Sequence, residues 1–102
     1  MIVYHGTVEV IKKPDVFHSF RPLDFGKGFY VTTVEEQARK WAERKADILG
    51  KTTGIVNMYH NGIWDRDRAL KEIKVYQTYD QIAFITQKAI DKLLKFDSSY
   101  EV

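Results

Sequence analysis

The sequence predicts an α+β domain, in which short strands are interleaved with helices. Two observations lead to this prediction. Runs of β-branched and aromatic residues such as Ile2-Val3-Tyr4 recur along the chain, and they are separated by stretches with helical periodicity, of which 34–49 is the clearest. The length of 102 residues suits one domain, and 44% hydrophobic residues allow a small core. We therefore expect one domain over residues 1–102.

The extended segments are bounded by glycine, proline and asparagine. Asn61-Gly62 is a typical tight-turn pair. The segment 17–25, with Pro22, is predicted to be a loop rich in aromatic residues. The predicted extended segments are 2–4, 8–15 with an interruption at Pro14, 27–32, 54–59 and 81–86.

Three helices are predicted. The first begins with a capping box, either Thr32 with Glu35 or Thr33 with Glu36, and ends at Gly50. Its apolar positions at helical spacing, expected to face the core, are Val34, Ala38, Trp41, Ala42 and Leu49. The second helix is short, capped by Asp65 or Asp67, and its inward residues are Ala69, Leu70 and Ile73.

The third predicted helix is capped by Thr86 and has a short apolar stripe. The residues of that stripe are Ala89, Ile90, Leu93 and Leu94. The tail after Phe96 is polar, and we expect it to be frayed.

Composition excludes several classes of site. The chain has no cysteine, so disulfides, thiolate nucleophiles and cysteine-type zinc sites are excluded. His18 and His60 have no partners at metal-ligand spacing, and we predict no metal site. The net charge of +2 argues against a protein held to nucleic acid mainly by phosphate contacts. No signal peptide or membrane-spanning run is visible, so we expect a cytoplasmic protein without a membrane partner.

Two motifs indicate chemistry. The first is Tyr4-His5-Gly6-Thr7, which places a histidine and a glycine at the end of a short strand. The second is the run 24–32, Asp-Phe-Gly-Lys-Gly-Phe-Tyr-Val-Thr, in which glycines lead into a strand centred on Tyr30. A glycine lets a backbone approach a ligand closely, a histidine nitrogen can bond a ribose hydroxyl, and an aromatic face can cover a cationic ring.

These motifs resemble those of the ADP-ribosyltransferase superfamily, of the diphtheria-toxin-like kind with a histidine, tyrosine and glutamate set. The chain looks like a small bacterial family of uncharacterised domains within it, shortened in the middle. The resemblance implies a compact split sheet with three flanking helices, and NAD as the substrate. It also implies transfer of ADP-ribose to a protein or nucleic-acid acceptor, with release of nicotinamide. Such relatives are often suspected to be toxins, which is analogy only.

The resemblance assigns roles to single residues. His5 would hold the ribose, Gly6 and Thr7 the edge of the nicotinamide, and Tyr30 its face. The residues implied to cradle the dinucleotide further along are Gly26, Lys27 and Gly28, with Lys27 directed at the pyrophosphate. These roles require the rings of His5 and Tyr30 to flank a single slot between neighbouring strands.

The third position of the set departs from the pattern. Gln81 stands where the resemblance places an acidic residue, and its amide can bond a hydroxyl but cannot take a proton. Asp80 is adjacent, but along a strand its side chain would point to the other face. We therefore predict Gln81, helped by Asp80, as the residue that orients the reacting ribose.

Two other functions stay open. The missing carboxylate and the short middle both fit a catalytically inactive descendant that binds NAD or a protein partner. The short middle also allows a homodimer in which a second copy completes the fold. An RNA-binding or RNA-cutting protein that uses His5, His18 and tyrosine residues has only a sequence pI near 8.8 in its favour.

Overall fold

The computed structural model describes residues 2–14, 29–62, 73–76, 81–84 and 86–102. Six strands and two helices lie within these ranges, which confirms the α+β class. The strands are β1 (Ile2–Thr7), β2 (Phe29–Thr32), β3 (Ile55–Asn61), β4 (Ile73–Tyr76), β5 (Gln81–Phe84) and β6 (Leu94–Glu101). The helices are α1 (Glu35–Leu49) and α2 (Gln87–Leu93).

The strands form one antiparallel sheet in the order β4-β5-β2-β1-β3-β6. The two strands that carry the histidine and tyrosine motifs, β1 and β2, are neighbours at its centre, as the resemblance required. Their junction is the weakest in the described sheet: it consists of the pair Tyr4–Thr32. By contrast, β1 pairs with β3 from Ile2 to Thr7, and β2 pairs with β5 along its whole length.

The two faces of the sheet are covered by different elements. Because successive strand residues point to opposite faces, Val3 and Phe29 lie on one face, and Tyr4 and Val56 on the other. The first face packs against α2 and the segment 8–14, and we call it the α2 face. The second packs against α1, and we call it the α1 face.

Helix α1 does not use the predicted cap, and of its predicted inward residues Ala38 and Ala42 are buried whereas the others are not. Val34 is the N-cap residue and makes no side-chain capping bond, whereas the Thr32 hydroxyl accepts the Val34 N–H at 3.0 Å. The buried positions are Ala38, Ala42 and Ala46, while Val34 and Leu49 are exposed and Trp41 is half-buried. The predicted end is confirmed, since Gly50 adopts the left-handed conformation with φ 68°.

The alanine face of α1 fits two glycines beneath it, Gly6 in β1 and Gly54 immediately before β3. A Cβ on Gly6 would overlap the Ala38 carbonyl oxygen, and a Cβ on Gly54 would lie 2.6 Å from the Ala42 carbonyl carbon. Backbone therefore approaches backbone, which leaves room only for small side chains between helix and sheet. The large apolar residues of α1 are turned away from the sheet for this reason.

For the C-terminal part of the chain, the predicted cap of α2 is confirmed and the predicted frayed tail is wrong. The Thr86 hydroxyl accepts the Ala89 N–H at 3.2 Å, as predicted for the cap of α2. Leu94, however, leaves the helix and begins β6. The expectation of a frayed tail after Phe96 is wrong, because β6 pairs with β3 from Leu94 to Glu101.

Two other predictions meet the limits of the described residues. The predicted short helix after Asp65 lies outside them, apart from Ile73, which opens β4 and so belongs to a strand. The two described helices, α1 and α2, correspond to the first and third of the three predicted helices. The strand predicted over 8–15 is also absent from the described part, residues 8–14, which contains bends and no strand.

The segment 8–14 is held by side chains instead of a strand ladder. The buried amide of Asn57 accepts the Ile11 N–H and donates to the Glu9 carbonyl, both at 3.0 Å. The Tyr59 hydroxyl donates to the Ile11 carbonyl at 2.6 Å. These bonds pair the main-chain N–H and carbonyl of Ile11 and the carbonyl of Glu9, and they hold the Ile11 side chain in the core.

The burial of Tyr59 gives the protein a sensitivity to alkaline pH. Desolvation raises the pKa of the Tyr59 phenol above its ordinary value of 10.0. The unfolded chain then ionises at a lower pH than the folded one. Stability is therefore complete below about pH 10 and falls above it, by about 1.4 kcal/mol per pH unit.

Urea unfolding at a series of pH values measures this loss. Tyr59→Phe removes the phenol, so its unfolding free energy should fall less steeply above about pH 10, by up to about 1.4 kcal/mol per unit. The raised pKa of Tyr100 acts equally in both proteins and cancels in the comparison. Parallel pH profiles for the two proteins would contradict the prediction.

Candidate functional site

His5 lies at the junction of the two central strands and is only 4% exposed. Its ring stacks on the Phe29 ring, with centroids 4.3 Å apart and an angle of 24° between the planes. Its Nδ1 lies 2.6 Å from the carbonyl oxygen of Tyr30. A carbonyl can only accept, so Nδ1 carries the proton, and in the neutral ring Nε2 is the hydrogen-bond acceptor.

This hydrogen bond lies where the ladder between β1 and β2 stops. Continued from the pair Tyr4–Thr32, an antiparallel register would set Gly6 opposite Tyr30, but the described ladder contains no such pair. The Tyr30 carbonyl bonds the His5 ring there. The described ladder between the two strands thus ends after one pair, and the imidazole is fixed beyond it with its Nε2 buried.

Gly6 is required by α1. The space that a side chain would occupy on the α1 face is filled by the helix backbone at Ala38 and Ala42. A ligand could therefore not reach the Gly6 main chain from the α1 face. Thr7, next in the strand, is buried on the α2 face and is 3% exposed.

The rings of His5 and Tyr30 do not flank one slot, which corrects the expected geometry. Phe29 stacks on His5, so both point to the α2 face, and Phe29 belongs to the core there. Tyr30 follows Phe29 in a regularly paired strand and points to the opposite face. Tyr30 therefore meets His5 through its main-chain carbonyl, while its own ring is buried under the α1 face.

The remaining predicted residues are placed only in part. Gln81 begins β5, with its Cα opposite Thr32 of β2 and Tyr76 of β4. Its strand is thus separated from β1 by β2, and it lies at the same end of the junction as the pair Tyr4–Thr32. Four predicted site residues lie outside the described residues: Gly26, Lys27, Gly28 and Asp80.

Phe29, Asn57 and Tyr59 were missed by the sequence reasoning. Phe29 orients the imidazole, and its ring meets the Tyr59 ring edge-on at 5.6 Å. Asn57 and Tyr59 are two residues apart in β3, so they share a face of that strand. That spacing was the only signal available in the sequence, and it does not reveal which segment the two side chains bind.

The surface carries a second polar cluster. His60, expected to be a surface residue, is exposed, and its Nε2 lies 2.8 Å from Asp97 Oδ1. The Ser98 hydroxyl donates to the other oxygen of Asp97 at 2.8 Å, and this bond, with the one to His60, lowers the pKa of Asp97. The serine bonds the carboxylate and not the imidazole, so the cluster is not arranged to activate a nucleophile.

In the part of the chain that the structure describes, no three histidine, cysteine, aspartate or glutamate residues are grouped closely enough to hold a metal ion. Neither described helix is long and apolar enough to cross a bilayer.

Comparison with known proteins places the chain in a family. A family model described as "Protein of unknown function (DUF3990)" matches residues 1–60, which include His5, the junction of β1 and β2, and α1. Neither the curated proteins nor the solved structures contain a match. Since the family model spans more than half of the 102 residues, the chain belongs to DUF3990, a family of proteins of unknown function.

Proposed function

We propose that this chain is a NAD-binding domain of the ADP-ribosyltransferase type, which transfers ADP-ribose to a macromolecular acceptor and releases nicotinamide. The observation that supports this most is the bond of 2.6 Å between His5 Nδ1 and the Tyr30 carbonyl oxygen. It fixes a buried imidazole between two central strands, in one tautomer. The proposal includes a cytoplasmic location, since the reaction consumes NAD.

The chemistry of His5 fits a ribose hydroxyl. With the proton on Nδ1, Nε2 accepts, and a hydroxyl is a donor. The Phe29 ring and the Tyr30 carbonyl hold the imidazole from two directions, so little freedom is lost on binding. Gly6 and Thr7 would meet the nicotinamide edge along the strand, and Gly26, Lys27 and Gly28 the phosphates. Tyr30 would act through its carbonyl on His5, not through its ring.

The proposed reaction breaks one bond and forms one. The bond between the nicotinamide nitrogen and the ribose anomeric carbon breaks, and its electron pair leaves with nicotinamide. A lone pair on the acceptor attacks the anomeric carbon, and the acceptor loses its proton to solvent or to a nearby base. The transition state resembles an oxocarbenium ion, so a held ribose hydroxyl helps to orient it.

A second candidate is an inactive NAD-binding or protein-interaction module. The observation that favours it is Gln81, set opposite Thr32 beside the junction. An amide can orient a hydroxyl, but it cannot offset positive charge on the ribose or take up a proton.

Calorimetry with NAD and an assay of nicotinamide release separate these candidates. We expect binding at or below about 1 mM, the upper end of ordinary substrate affinities. His5→Gln should reduce nicotinamide release at least about tenfold, the loss expected for one hydrogen bond to a reacting ribose. His60→Gln, at an exposed histidine in the neighbouring part of the sheet, is the matched control and should retain the full rate.

Each result has one interpretation. Absence of NAD binding at about 1 mM would overturn the transferase proposal and the NAD-binding form of its alternative. Binding without release would favour the inactive module, and Gln81→Glu would then be expected to restore some release. An unchanged rate in His5→Gln, with an unchanged melting temperature, would remove His5 from the reaction.

A further inference from the structure

A groove of about 500 Å³ lies on the α2 face, between the segment 8–14 and the junction of α2 with β6. Lys12 and Lys13 line one wall, and Lys95 lines the other. Between them lie apolar residues, Ile90, Leu94 and Phe96, of which the first two are buried. We call this feature the lysine groove. Its volume is within the range of protein ligand sites, roughly 300–1,000 Å³.

The lysine groove is positively charged. All three of its lysines are exposed. Asp91 is the acidic residue among its described lining, and one of its oxygens accepts the Gln87 side-chain N–H at 2.9 Å. The ammonium of Lys95 donates to the Asp91 main-chain carbonyl at 3.1 Å. Three positive charges thus stand against one negative charge, and an anionic partner is favoured.

The two walls are tied to each other and to the core. The side chain of Gln87 donates to the Pro14 carbonyl at 3.2 Å and so bridges the walls. Asn57 holds the segment 8–14 from below through Ile11 and Glu9. A groove whose walls are already positioned loses less entropy on binding than a mobile one.

A row of aromatic rings connects the lysine groove to His5. The Phe96 ring, in the groove, meets Tyr59 edge-on at 5.9 Å, and Tyr59 meets Phe29 at 5.6 Å. Phe29 stacks on His5 at 4.3 Å. The groove and the imidazole therefore lie on the same face of the sheet, separated by two rings.

We infer that the lysine groove binds an acidic segment of another protein, with an aliphatic side chain of that segment in contact with the apolar floor. The lysines would pair with its carboxylates, and Leu94 and Phe96 would cover its apolar group. Single-stranded nucleic acid is less well matched. Phe96 is the aromatic residue of the described lining, and its ring already packs against Tyr59, whereas such binders present successive exposed rings.

This inference does not require NAD. Where the proposed transfer also holds, the bound segment is the acceptor or lies next to it, because the groove shares a face with His5. Binding is therefore measured without NAD. Peptide binding without NAD binding would support the docking surface and overturn only the proposed reaction. NAD binding without peptide binding would overturn only the docking surface.

Fluorescence anisotropy with labelled peptides tests the inference. The probe is a twelve-residue peptide of glutamate, glycine and two leucines, compared with a version in which serine replaces leucine and with a lysine-for-glutamate version. A single-stranded oligonucleotide of similar length is the fourth probe. The protein variants are the double change Lys12→Gln, Lys13→Gln and the single change Lys95→Gln. The matched control is Lys40→Gln, Lys51→Gln, at two exposed lysines outside the groove.

We expect the acidic leucine peptide to bind most tightly. The double groove variant should weaken its binding roughly five- to tenfold at low salt, as two exposed charge pairs are lost, and the control double variant less than about twofold. The serine peptide should bind more weakly than the leucine peptide. Equal losses in both double variants, tighter binding of the oligonucleotide, or no difference between leucine and serine peptides would each overturn the inference.

Discussion

Replacing Gly6 by alanine is expected to lower the free energy of unfolding by about 3 kcal/mol, the upper part of the range for an overpacked core. The added methyl group would overlap the Ala38 carbonyl oxygen and lie 2.9 Å from the Ala42 main-chain nitrogen. Both are backbone atoms, so no change of rotamer can make room. The helix would have to move away from the sheet or β1 would have to shift.

Urea unfolding measures this loss, with Gly62→Ala as its matched control. A Cβ on Gly62 would have its nearest atom at 3.7 Å, an ordinary contact, so that variant should change stability by less than about 0.5 kcal/mol. Gly54→Ala should resemble Gly6→Ala, since its Cβ would lie 2.8 Å from the Ala42 Cβ. Similar stability of Gly6→Ala and Gly62→Ala would show that α1 does not pack closely on β1.

Replacing Asn57 by leucine is expected to cost about 3 kcal/mol, because the two hydrogen bonds that its buried side chain makes to the main chain are lost together. The side chain is fully buried and serves the Ile11 N–H and the Glu9 carbonyl. Leucine has nearly the same shape but no polar atoms. Two main-chain groups would lose their partners, and the segment 8–14 would detach at its centre.

Hydrogen exchange at the Ile11 amide reports this detachment directly. In the native protein that amide is bonded to Asn57 Oδ1, and in the variant it should exchange much faster. The control is Gln87→Ala, which removes the bond of the same segment at Pro14 on the exposed side and should cost less than about 1 kcal/mol. An Ile11 amide that remains equally protected in Asn57→Leu would contradict the assigned role of Asn57.

Elements that depend on short-range patterns could be predicted. Gly50 ends α1 because glycine readily adopts a positive φ. Thr86 is the N-cap of α2 because its hydroxyl accepts the Ala89 N–H. A strand containing Tyr30, adjacent to the strand containing His5, was also expected. In each case the deciding interaction spans a few residues, or the two motifs themselves imply it.

Elements that depend on long-range partners could not. The polar tail after Phe96 becomes β6 because β3 supplies its hydrogen bonds, and the segment 8–14 is not a strand because Asn57 and Tyr59 supply others. The predicted inward face of α1 was wrong in part for the same reason. Periodicity favours the large residues Trp41 and Leu49 as inward, but two glycines beneath the helix bring the backbones together and admit only alanines.

The candidate site divides in the same way. Local rules identify His5 as a histidine at the end of a central strand, and the alternation of strand residues already implies that Phe29 and Tyr30 point to opposite faces. The register between β1 and β2 decides whether Phe29 or Tyr30 lies on the same side of the sheet as His5. Pairing across the sheet sets that register. The neighbour of the imidazole is therefore Phe29, with the Tyr30 carbonyl at its edge. The sequence alone is compatible with either register, and contacts between segments distant in the chain determine which one forms.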